Sequence, residues 1–299
     1  MLLSNYVGNT PLIPIRSGDM TVWGKCEFMN PGGSVKDRMA TYILNNAEDK
    51  GLIKKGDTLV EATSGNTGIA FAMLAAERGY HMEIVMPSNM SEERKNMLKY
   101  YGANLTMVDA GDFDGAIAMR DDMAKAQGWF NCNQFHNPLN TEAHYKTTGP
   151  ELDKEYRRRN EEGNVFHTLD AFVLGTGTGG TIMGAGAYLK KRFPFCKLVA
   201  VEPAESAVMS GQCAGLHGIQ GIGDGSKFLV DLKEIEDIIP IATEDAKSYA
   251  KKLALENGLF VGISAGANVM ASFQWLKDNN KTNAITILCD RGERYMSCL

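Results

Sequence analysis

A lysine directly after a glycine-rich turn is the feature of this sequence that most clearly suggests chemistry. The stretch Asn30–Arg38 reads Asn-Pro-Gly-Gly-Ser-Val-Lys-Asp-Arg. Ser34 and Asp37 have the spacing of a helix-capping box, which predicts that Lys36 lies in the first turn of a helix. A lysine at the positive end of a helix dipole converts more readily to the free amine that attacks carbonyl groups. From this stretch alone, Lys36 is either a covalent catalyst or an ordinary residue of a capped surface helix.

Three more loops predict that hydrogen-bond donors gather where a helix begins. Residues 61–68 read Glu-Ala-Thr-Ser-Gly-Asn-Thr-Gly after a predicted strand, and such a loop favours a phosphate or a carboxylate. Residues 173–181 read Val-Leu-Gly-Thr-Gly-Thr-Gly-Gly-Thr, which predicts a phosphate cradle. Residues 262–266 place Ser264 near a third helix start, where a serine is either functional or a plain N-cap.

The glycine-rich loop also admits a different ligand. Gly175, Gly177 and Gly180 satisfy the dinucleotide spacing G-x-G-x-x-G, and Glu202 lies at the end of the next predicted strand. In nicotinamide enzymes an acid at such a position binds a ribose hydroxyl. A phosphate cradle and a nicotinamide dinucleotide site are therefore both open for this loop.

Predicted strands and helices alternate along the chain and must position these loops. Strands are predicted at Thr58–Val60, Met82–Met86, Leu105–Val108, Ala171–Leu174, Lys197–Val201 and Ala284–Cys289, and helices at Ile69–Gly79, Glu92–Tyr101, Phe113–Gln127, Thr181–Arg192, Glu244–Asn257 and Ala265–Asp278. This alternation is typical of a mostly parallel sheet with helices on both faces. A polar segment at Asn131–Pro150, predicted to be irregular, separates two such sets. We therefore expect an α/β fold of two lobes with a ligand cleft between them.

Composition excludes several classes of protein. The 299 residues are 44% apolar and 22% charged, which is ordinary for a folded globular chain. The net charge of -5 offers no basic surface for nucleic acid. The six cysteines and five histidines show neither a disulfide framework nor metal-ligand spacing, so we expect reduced thiols and no metal. Without a signal-peptide pattern or a membrane-spanning run, we expect a cytoplasmic protein that does not enter the membrane.

Four motifs, in chain order, resemble those of one enzyme family. They are Asn-Pro-Gly-Gly-Ser-Val-Lys-Asp-Arg, Thr-Ser-Gly-Asn-Thr-Gly, Gly-Thr-Gly-Gly-Thr and Gly-Ile-Ser-x-Gly. The sequence is similar to the cysteine synthase (O-acetylserine sulfhydrylase) branch of the fold-type II pyridoxal phosphate enzymes, relatives of cystathionine β-synthase. The resemblance runs from Gly8–Leu12 to Gly292–Tyr295.

The resemblance implies a role for each matching residue. Lys36 would form the Schiff base with pyridoxal 5'-phosphate and act as the general base at Cα. Asn66 would bind the phenolic oxygen of the cofactor, and Ser264 its pyridine nitrogen. The cofactor phosphate would be held by Gly177, Thr178, Gly179, Gly180 and Thr181, and the substrate carboxylate by Thr63, Ser64, Thr67 and Gln134. The family architecture implies a larger cofactor-binding lobe of residues 1–29 and 138–299, and a smaller mobile lobe of residues 30–137.

The implied activity is β-replacement or β-elimination on cysteine- or serine-type amino acids through an aminoacrylate. The leading prediction is cysteine synthesis from O-acetylserine and sulfide. The family also implies a homodimer. Serine acetyltransferase is a partner of some members, but nothing in this sequence indicates it.

Two departures from the family pattern bear on the reaction. Asp224 stands where cysteine synthases usually have a small apolar residue. It is either ordinary turn chemistry or a general base for water, in which case cysteine would be converted to serine with release of hydrogen sulfide. Arg291 replaces a serine of the family motif; it either points to solvent or alters the surroundings of Ser264.

Other interpretations are less favoured. A non-catalytic binding protein would have no need for Lys36, Asn66, the glycine-rich loop and Ser264 together. A nicotinamide dehydrogenase rests on the G-x-G-x-x-G spacing alone. Cystathionine β-synthase is less favoured because no regulatory module or haem-binding arm is seen. Threonine dehydratase and tryptophan synthase β differ around the lysine.

Overall fold

The computed structural model describes residues 2–63, 65–162, 168–223 and 225–298. Within them, the strands are β1 Leu12–Ser17, β2 Met20–Lys25, β3 Thr58–Ala62, β4 His81–Pro87, β5 Asn104–Val108, β6 Phe130–Asn131, β7 Ala171–Gly175, β8 Lys197–Pro203, β9 Asp237–Ile241 and β10 Asn283–Ile287. The α-helices of the same residues are α1 Lys36–Asp49, α2 Asn66–Arg78, α3 Glu92–Tyr100, α4 Phe113–Gln127, α5 Pro138–Ala143, α6 Gly149–Glu162, α7 Gly180–Arg192, α8 Thr243–Asn257 and α9 Ile263–Asp278.

The chain divides into two compact units. Unit 1 contains Met1–Val7 and Asn30–Asn140, and unit 2 contains Gly8–Met29 and Thr141–Leu299. The N-terminal segment lies with unit 1 because the N–H of Ser4 donates to Glu77 Oε1 on α2 over 2.9 Å. The smaller lobe predicted at residues 30–137 did not include this segment, and its mobility stays a prediction.

Unit 1 is built around a parallel sheet in the order β5-β4-β3-β6. In the central pair, Leu59 of β3 is aligned with Met82 of β4. Buried side chains of α1 and α2, such as Ile43 and Phe71, share one apolar core with these strands. The parallel arrangement brings the loops that follow β3 and β4 to the same edge of the sheet.

Unit 2 contains a larger sheet in the order β1-β2-β10-β7-β8-β9. The β1–β2 hairpin is antiparallel, and the remaining neighbours are parallel. Eleven of the 16 residues of helix α9 are buried, and its apolar residues pack with β7, β8 and β10 in one core. The alternation of strands and helices in the sequence therefore predicted the α/β class correctly, although it did not locate β1, β2, β6 and β9.

The prediction of an irregular segment at Asn131–Pro150 was wrong for most of its length. After a short loop, α5 is followed without interruption by a π-helix at His144–Thr148 and then by α6. The side chain of Asn137 accepts the N–H of Leu139 over 3.1 Å and so satisfies a donor at the start of α5. Pro150 is the second residue of α6, directly after the π-helix. Asn137, a residue typical of turns, thus serves here as a helix-start signal.

Among the residues that the structure describes, no helix combines the length and the apolar character that crossing a membrane requires.

Candidate active site

Lys36 is the first residue of α1, as the sequence predicts, and its side chain is half-buried. Its N–H donates to Ser34 Oγ over 3.3 Å. The carboxylate of Asp37 turns back to accept the N–H of Gly32 over 2.5 Å. A regular capping box would instead join Asp37 to the backbone of Ser34. Asp37 therefore ties the start of the helix to the glycine turn.

The two glycines before Lys36 are required by geometry. A Cβ atom on Gly32 would lie 2.5 Å from Asp37 Oδ1. Gly33 has a φ angle of 81°, which residues with a side chain rarely adopt. The turn and the helix start thus form one compact local structure that carries the lysine.

Three of the predicted carboxylate-binding residues come together in unit 1. Thr67 donates its hydroxyl to Gln134 Oε1 over 2.6 Å, and Gln134 Nε2 donates to the carbonyl of Ala62 over 3.2 Å. Thr63 Oγ1 accepts the N–H of Gly65 over 3.2 Å. Asn66 is half-buried and begins α2 beside them. Ser64, the fourth predicted member, lies outside the described residues.

A buried ion pair contacts this cluster through the backbone of Ala62 and Gln134. Glu61 Oε1 accepts from Arg120 of α4 over 3.1 Å and from the N–H of Ala62 over 2.8 Å, and Glu61 Oε2 accepts the N–H of Gln134 over 2.9 Å. Burial raises the pKa of Glu61, against the opposing effects of Arg120 and these backbone donors. The sequence motif contained Glu61 but carried no signal for Arg120, which lies 59 residues away.

The glycine-rich loop of unit 2 connects the end of β7 to the start of α7. Backbone N–H groups of residues after β8 hold this loop. The carbonyl of Thr176 accepts the N–H of Gly223 over 2.9 Å, and that of Thr178 accepts the N–H of Leu229 over 3.0 Å. Gly179 has a φ angle of 87°, and a Cβ atom there would lie 2.5 Å from Val230 Cγ2. As at any helix start, the first-turn N–H groups of α7 lack intrahelical acceptors, and that of Gly180 donates to Thr178 Oγ1 over 3.4 Å. Such a helix start suits a phosphate.

His144 contacts this loop and was not assigned a role from the sequence. Its ring is buried, with Nδ1 2.8 Å from Thr148 Oγ1 and Nε2 3.1 Å from Thr181 Oγ1. If Nε2 carries the proton, it donates to Thr181 and leaves the threonine hydroxyl to donate onward. A histidine and a threonine four residues apart in a polar stretch were the available signal.

Ser264 lies buried in the first turn of α9, also in unit 2. The helix start is held by the C-terminal segment, because the N–H of Gly262 donates to the carbonyl of Asp290 over 3.1 Å. Tyr295 donates its hydroxyl to the carboxylate of the same aspartate. A Cβ atom on Gly262 would lie 2.1 Å from Asp290 Oδ1, so only glycine allows this close approach.

Arg291 has an exposed side chain, and its Nε donates to the carbonyl of Phe28 over 3.0 Å. Of the two alternatives left open by the sequence, the outward orientation is the one observed.

Glu202 does not have the surroundings of a ribose-binding acid. One carboxylate oxygen accepts the N–H of Met209 over 2.8 Å, and the other accepts the N–H and hydroxyl of Ser210 over 3.0 and 2.5 Å. The carboxylate is therefore used to hold the loop after β8. The structure removes the second element of the nicotinamide interpretation, and the glycine spacing alone does not sustain it.

Asp224, the second predicted catalytic residue, lies outside the described residues. Its neighbours are Gly223, whose carbonyl lies 3.1 Å from His217 Nε2, and Gly225, whose φ angle is 76°. Its assignment stays a prediction.

The chain is similar to known proteins over nearly its whole length. A profile of the family described as "Pyridoxal-phosphate dependent enzyme" matches residues 3–290. A cysteine synthase of Staphylococcus aureus (strain Mu50 / ATCC 700699) is 41% identical over 304 aligned positions, covering 99% of this chain and 95% of the relative.

Two solved structures are similar in fold as well as in sequence. An O-ureido-L-serine synthase superposes with a TM-score of 0.92 at 36% identity, covering 100% of this chain and 94% of that one. A hydrogen sulfide-producing enzyme of Fusobacterium nucleatum superposes with a TM-score of 0.92 at 37% identity, covering 99% of this chain and 90% of that one. From its motifs, its fold and these matches, the chain belongs to the pyridoxal-phosphate dependent enzyme family.

Proposed function

We propose that this protein is a cysteine synthase, which uses pyridoxal phosphate to replace the acetoxy group of O-acetylserine by sulfide. The observation that carries the proposal is the 41% identity to a cysteine synthase over 99% of the chain. It is supported by the presence, at the matching positions, of donor sets for a phosphate in unit 2 and for a carboxylate in unit 1.

The residues of unit 2 fit the cofactor. The loop from Gly177 to Thr181 offers backbone N–H groups and hydroxyls to a phosphate, with Gly179 in a conformation and a space that only glycine accepts. Ser264 offers a neutral hydroxyl to the pyridine nitrogen. As the family resemblance implies, Asn66 would bind the phenolic oxygen and Lys36 would hold the aldehyde carbon covalently.

The chain's own residues account for substrate handling. Thr63, Ser64, Thr67 and Gln134 would bind the α-carboxylate through hydroxyl, amide and backbone donors. Once its amine is released, Lys36 would take the proton from Cα as general base. Pyridoxal phosphate, when bound, draws electrons from Cα and so makes that proton acidic.

Ser264 favours elimination over transamination. A hydroxyl does not supply the negative charge that would keep the pyridine nitrogen protonated, and the nearby helix N-terminus opposes protonation too. The electron demand at Cα is therefore moderate. We infer that the β-substituent leaves quickly and that a nucleophile takes its place.

A second candidate function is release of hydrogen sulfide from cysteine with formation of serine. The observation that favours it is the TM-score of 0.92 to a hydrogen sulfide-producing enzyme. In this version Asp224 would activate water as the replacing nucleophile. We expect a homodimer in either case, as in the resembling family, which sedimentation analysis would test.

One experiment separates the two functions. The enzyme is incubated with O-acetylserine plus sulfide and, separately, with cysteine alone, and the amino-acid products are identified. Faster cysteine formation supports the leading proposal, whereas serine with sulfide from cysteine alone supports the second. In the second case Asp224→Ala should abolish serine formation, and an unchanged product ratio would remove the role of Asp224.

The covalent role of Lys36 has its own test. The purified protein should show a visible absorption band that disappears on treatment with borohydride, and Lys36→Ala should lack the covalently attached cofactor after that treatment. Lys50→Ala, a change at the end of the same helix, should keep it. Borohydride-stable attachment of the cofactor in Lys36→Ala would refute the assignment.

A further inference from the structure

Strands β7 and β10 separate before they reach the candidate site. Among the described residues, their ladder aligns only Ala284 with Ala171 and Ile285 with Phe172. Beyond this point side chains bridge the two strands. Thr286 donates its hydroxyl to the carbonyl of Val173 over 2.6 Å. The strand ends are thus joined by a different set of bonds from those of a regular sheet.

The second bridge is the amide of Asn268, a completely buried residue of α9. Its Oδ1 accepts the N–H of Gly175 over 2.7 Å, and its Nδ2 donates to the carbonyl of Ile287 over 2.9 Å. Nδ2 also lies 3.6 Å from Cys289 Sγ. One side chain therefore holds the last residue of β7 and the last residue of β10 at the same time.

The position of Asn268 connects three parts of the site. It follows Ser264 by four residues, so the two lie on one face of α9. Gly175 is the residue from which the glycine-rich loop starts, and Ile287 leads through Cys289 into Asp290. A Cβ atom on Gly175 would lie 3.0 Å from Asn268 Oδ1 and 2.9 Å from Ile222 Cγ2. Glycine at 175 thus permits the close approach of the amide.

We propose that Asn268 is a positioning residue that holds the start of the glycine-rich loop and the end of β10 in fixed places relative to Ser264. Through them it sets how tightly the loop holds the cofactor phosphate, and this second step rests on the proposed function. In the sequence, Asn268 is a polar residue in a largely apolar helix, where an amide is more costly to bury than an aliphatic side chain unless it is bonded.

The test compares Asn268→Leu with Ser272→Ala. Leucine has a similar size but leaves the Gly175 N–H and the Ile287 carbonyl without the amide. Ser272 is also buried on α9, and its hydroxyl bonds within the helix to the carbonyl of Asn268. Hydrogen exchange of the purified protein should accelerate at Gly175–Thr181 in Asn268→Leu and not in Ser272→Ala.

The cofactor-loaded protein provides a second readout. In Asn268→Leu, pyridoxal phosphate should dissociate about tenfold faster, since losing one buried hydrogen bond has an effect of this order. The ³¹P resonance of the bound phosphate should shift in this variant only. A purely structural role would lower thermal stability without moving that resonance.

If Asn268→Leu does not fold, hydrogen exchange of Asn268→Asp tests the proposal instead. An aspartate keeps an oxygen for the Gly175 N–H, so exchange should accelerate at residues 287–290 and remain slow at 175–181. Unchanged exchange at both segments would overturn the proposal, as would equal acceleration in Ser272→Ala. These outcomes do not depend on the cofactor, whereas a wild-type protein that binds no pyridoxal phosphate would overturn the proposed function alone.

Discussion

At the scale of single residues, the groups that hold the candidate site are buried polar side chains with defined partners. Glu61 and Arg120 support the residues predicted to bind a carboxylate in unit 1, and His144 and Asn268 contact the glycine-rich loop of unit 2. A buried polar group that loses its partner costs much more than the bond gains when it is made. Single substitutions at these residues should therefore have large effects, although none of the four is expected to react with substrate.

The ion pair of unit 1 provides the first prediction. Arg120→Met leaves Glu61 buried without its counter-charge, which should lower the free energy of unfolding by about 3–5 kcal/mol. Arg158→Met is the matched control, because Arg158 pairs with Glu155 on the surface, where side chains are 45% and 23% exposed; it should cost at most about 1 kcal/mol. Urea denaturation measures both. Equal losses in the two variants would contradict the prediction.

The second prediction concerns the histidine beside the glycine-rich loop. Thr148→Val removes the hydroxyl that fixes His144 Nδ1, so the ring should hold Thr181 less firmly. Binding of pyridoxal phosphate should weaken about three- to tenfold, as expected for one buried hydrogen bond. Thr147→Val is the control, since Thr147 donates to the carbonyl of Ala143 instead. Fluorescence titration of the cofactor-free protein gives both affinities, and equal changes would count against the role of His144.

At the scale of elements, the close approach of α7 to the segment that contains the π-helix decides the geometry of the loop. Tyr145 and Tyr188 meet edge to face with ring centroids 5.6 Å apart. A Cβ atom on Gly149 would lie 2.5 Å from Tyr188 Cβ. Small residues on both sides of this contact allow His144 to reach Thr181. Single π-helical turns are rare but often occur at functional sites, and here the turn carries the histidine.

A substitution in α7 tests this packing. In Gly184→Ala the new Cβ atom would lie 2.1 Å from the carbonyl of Thr141 and 2.9 Å from His144 Cβ. The helices must then move apart, which should cost about 1–3 kcal/mol of stability. Lys191→Ala, at an exposed position of α7, should change stability by less than about 0.5 kcal/mol. Thermal unfolding gives the comparison, and a Gly184→Ala protein as stable as the control would show that the contact is dispensable.

At the scale of the whole molecule, burial determines which thiols can react. Burial raises the pKa of Cys26 and of Cys196 to about 12, and that of Cys132 well above its ordinary value. Cys213 is exposed. The thiolate is the reactive form, so the native protein should react with a disulfide reagent first at Cys213, with the three buried thiols protected.

The measurement is reagent uptake near pH 8, followed by mass spectrometry of the labelled peptides. All six cysteines should react after denaturation. Rapid labelling of Cys26 or Cys196 in the native protein would contradict the assignment.

The raised pKa values of the buried thiols also predict that the protein is less stable in alkali. Above an ordinary thiol pKa of 9.0, the unfolded chain loses protons that the native state keeps. The free energy of unfolding should therefore fall from about pH 9 towards pH 12.

From the amino-acid sequence alone followed the α/β class, most of the strands and helices, and the loops predicted to carry the chemistry. These features are local: hydrophobic periodicity sets the elements, and glycines, hydroxyls and capping residues mark the turns after strands. Lys36 is at a helix start, and the glycine-rich loop joins a strand to a helix, as predicted. The helical segment from residue 138 was predicted to be irregular because residues typical of turns can equally begin a helix.

The distant residues that support these loops became known from the fold. Arg120 is brought to Glu61, His144 to Thr181, and Asn268 to Gly175 and Ile287 by the packing of helices against sheets. The structure also shows that Glu202 holds the loop after β8 and that the side chain of Arg291 is exposed. Such pairings depend on long-range contacts, and the chemistry of a side chain in sequence does not specify which buried donor or acceptor will face it in the fold.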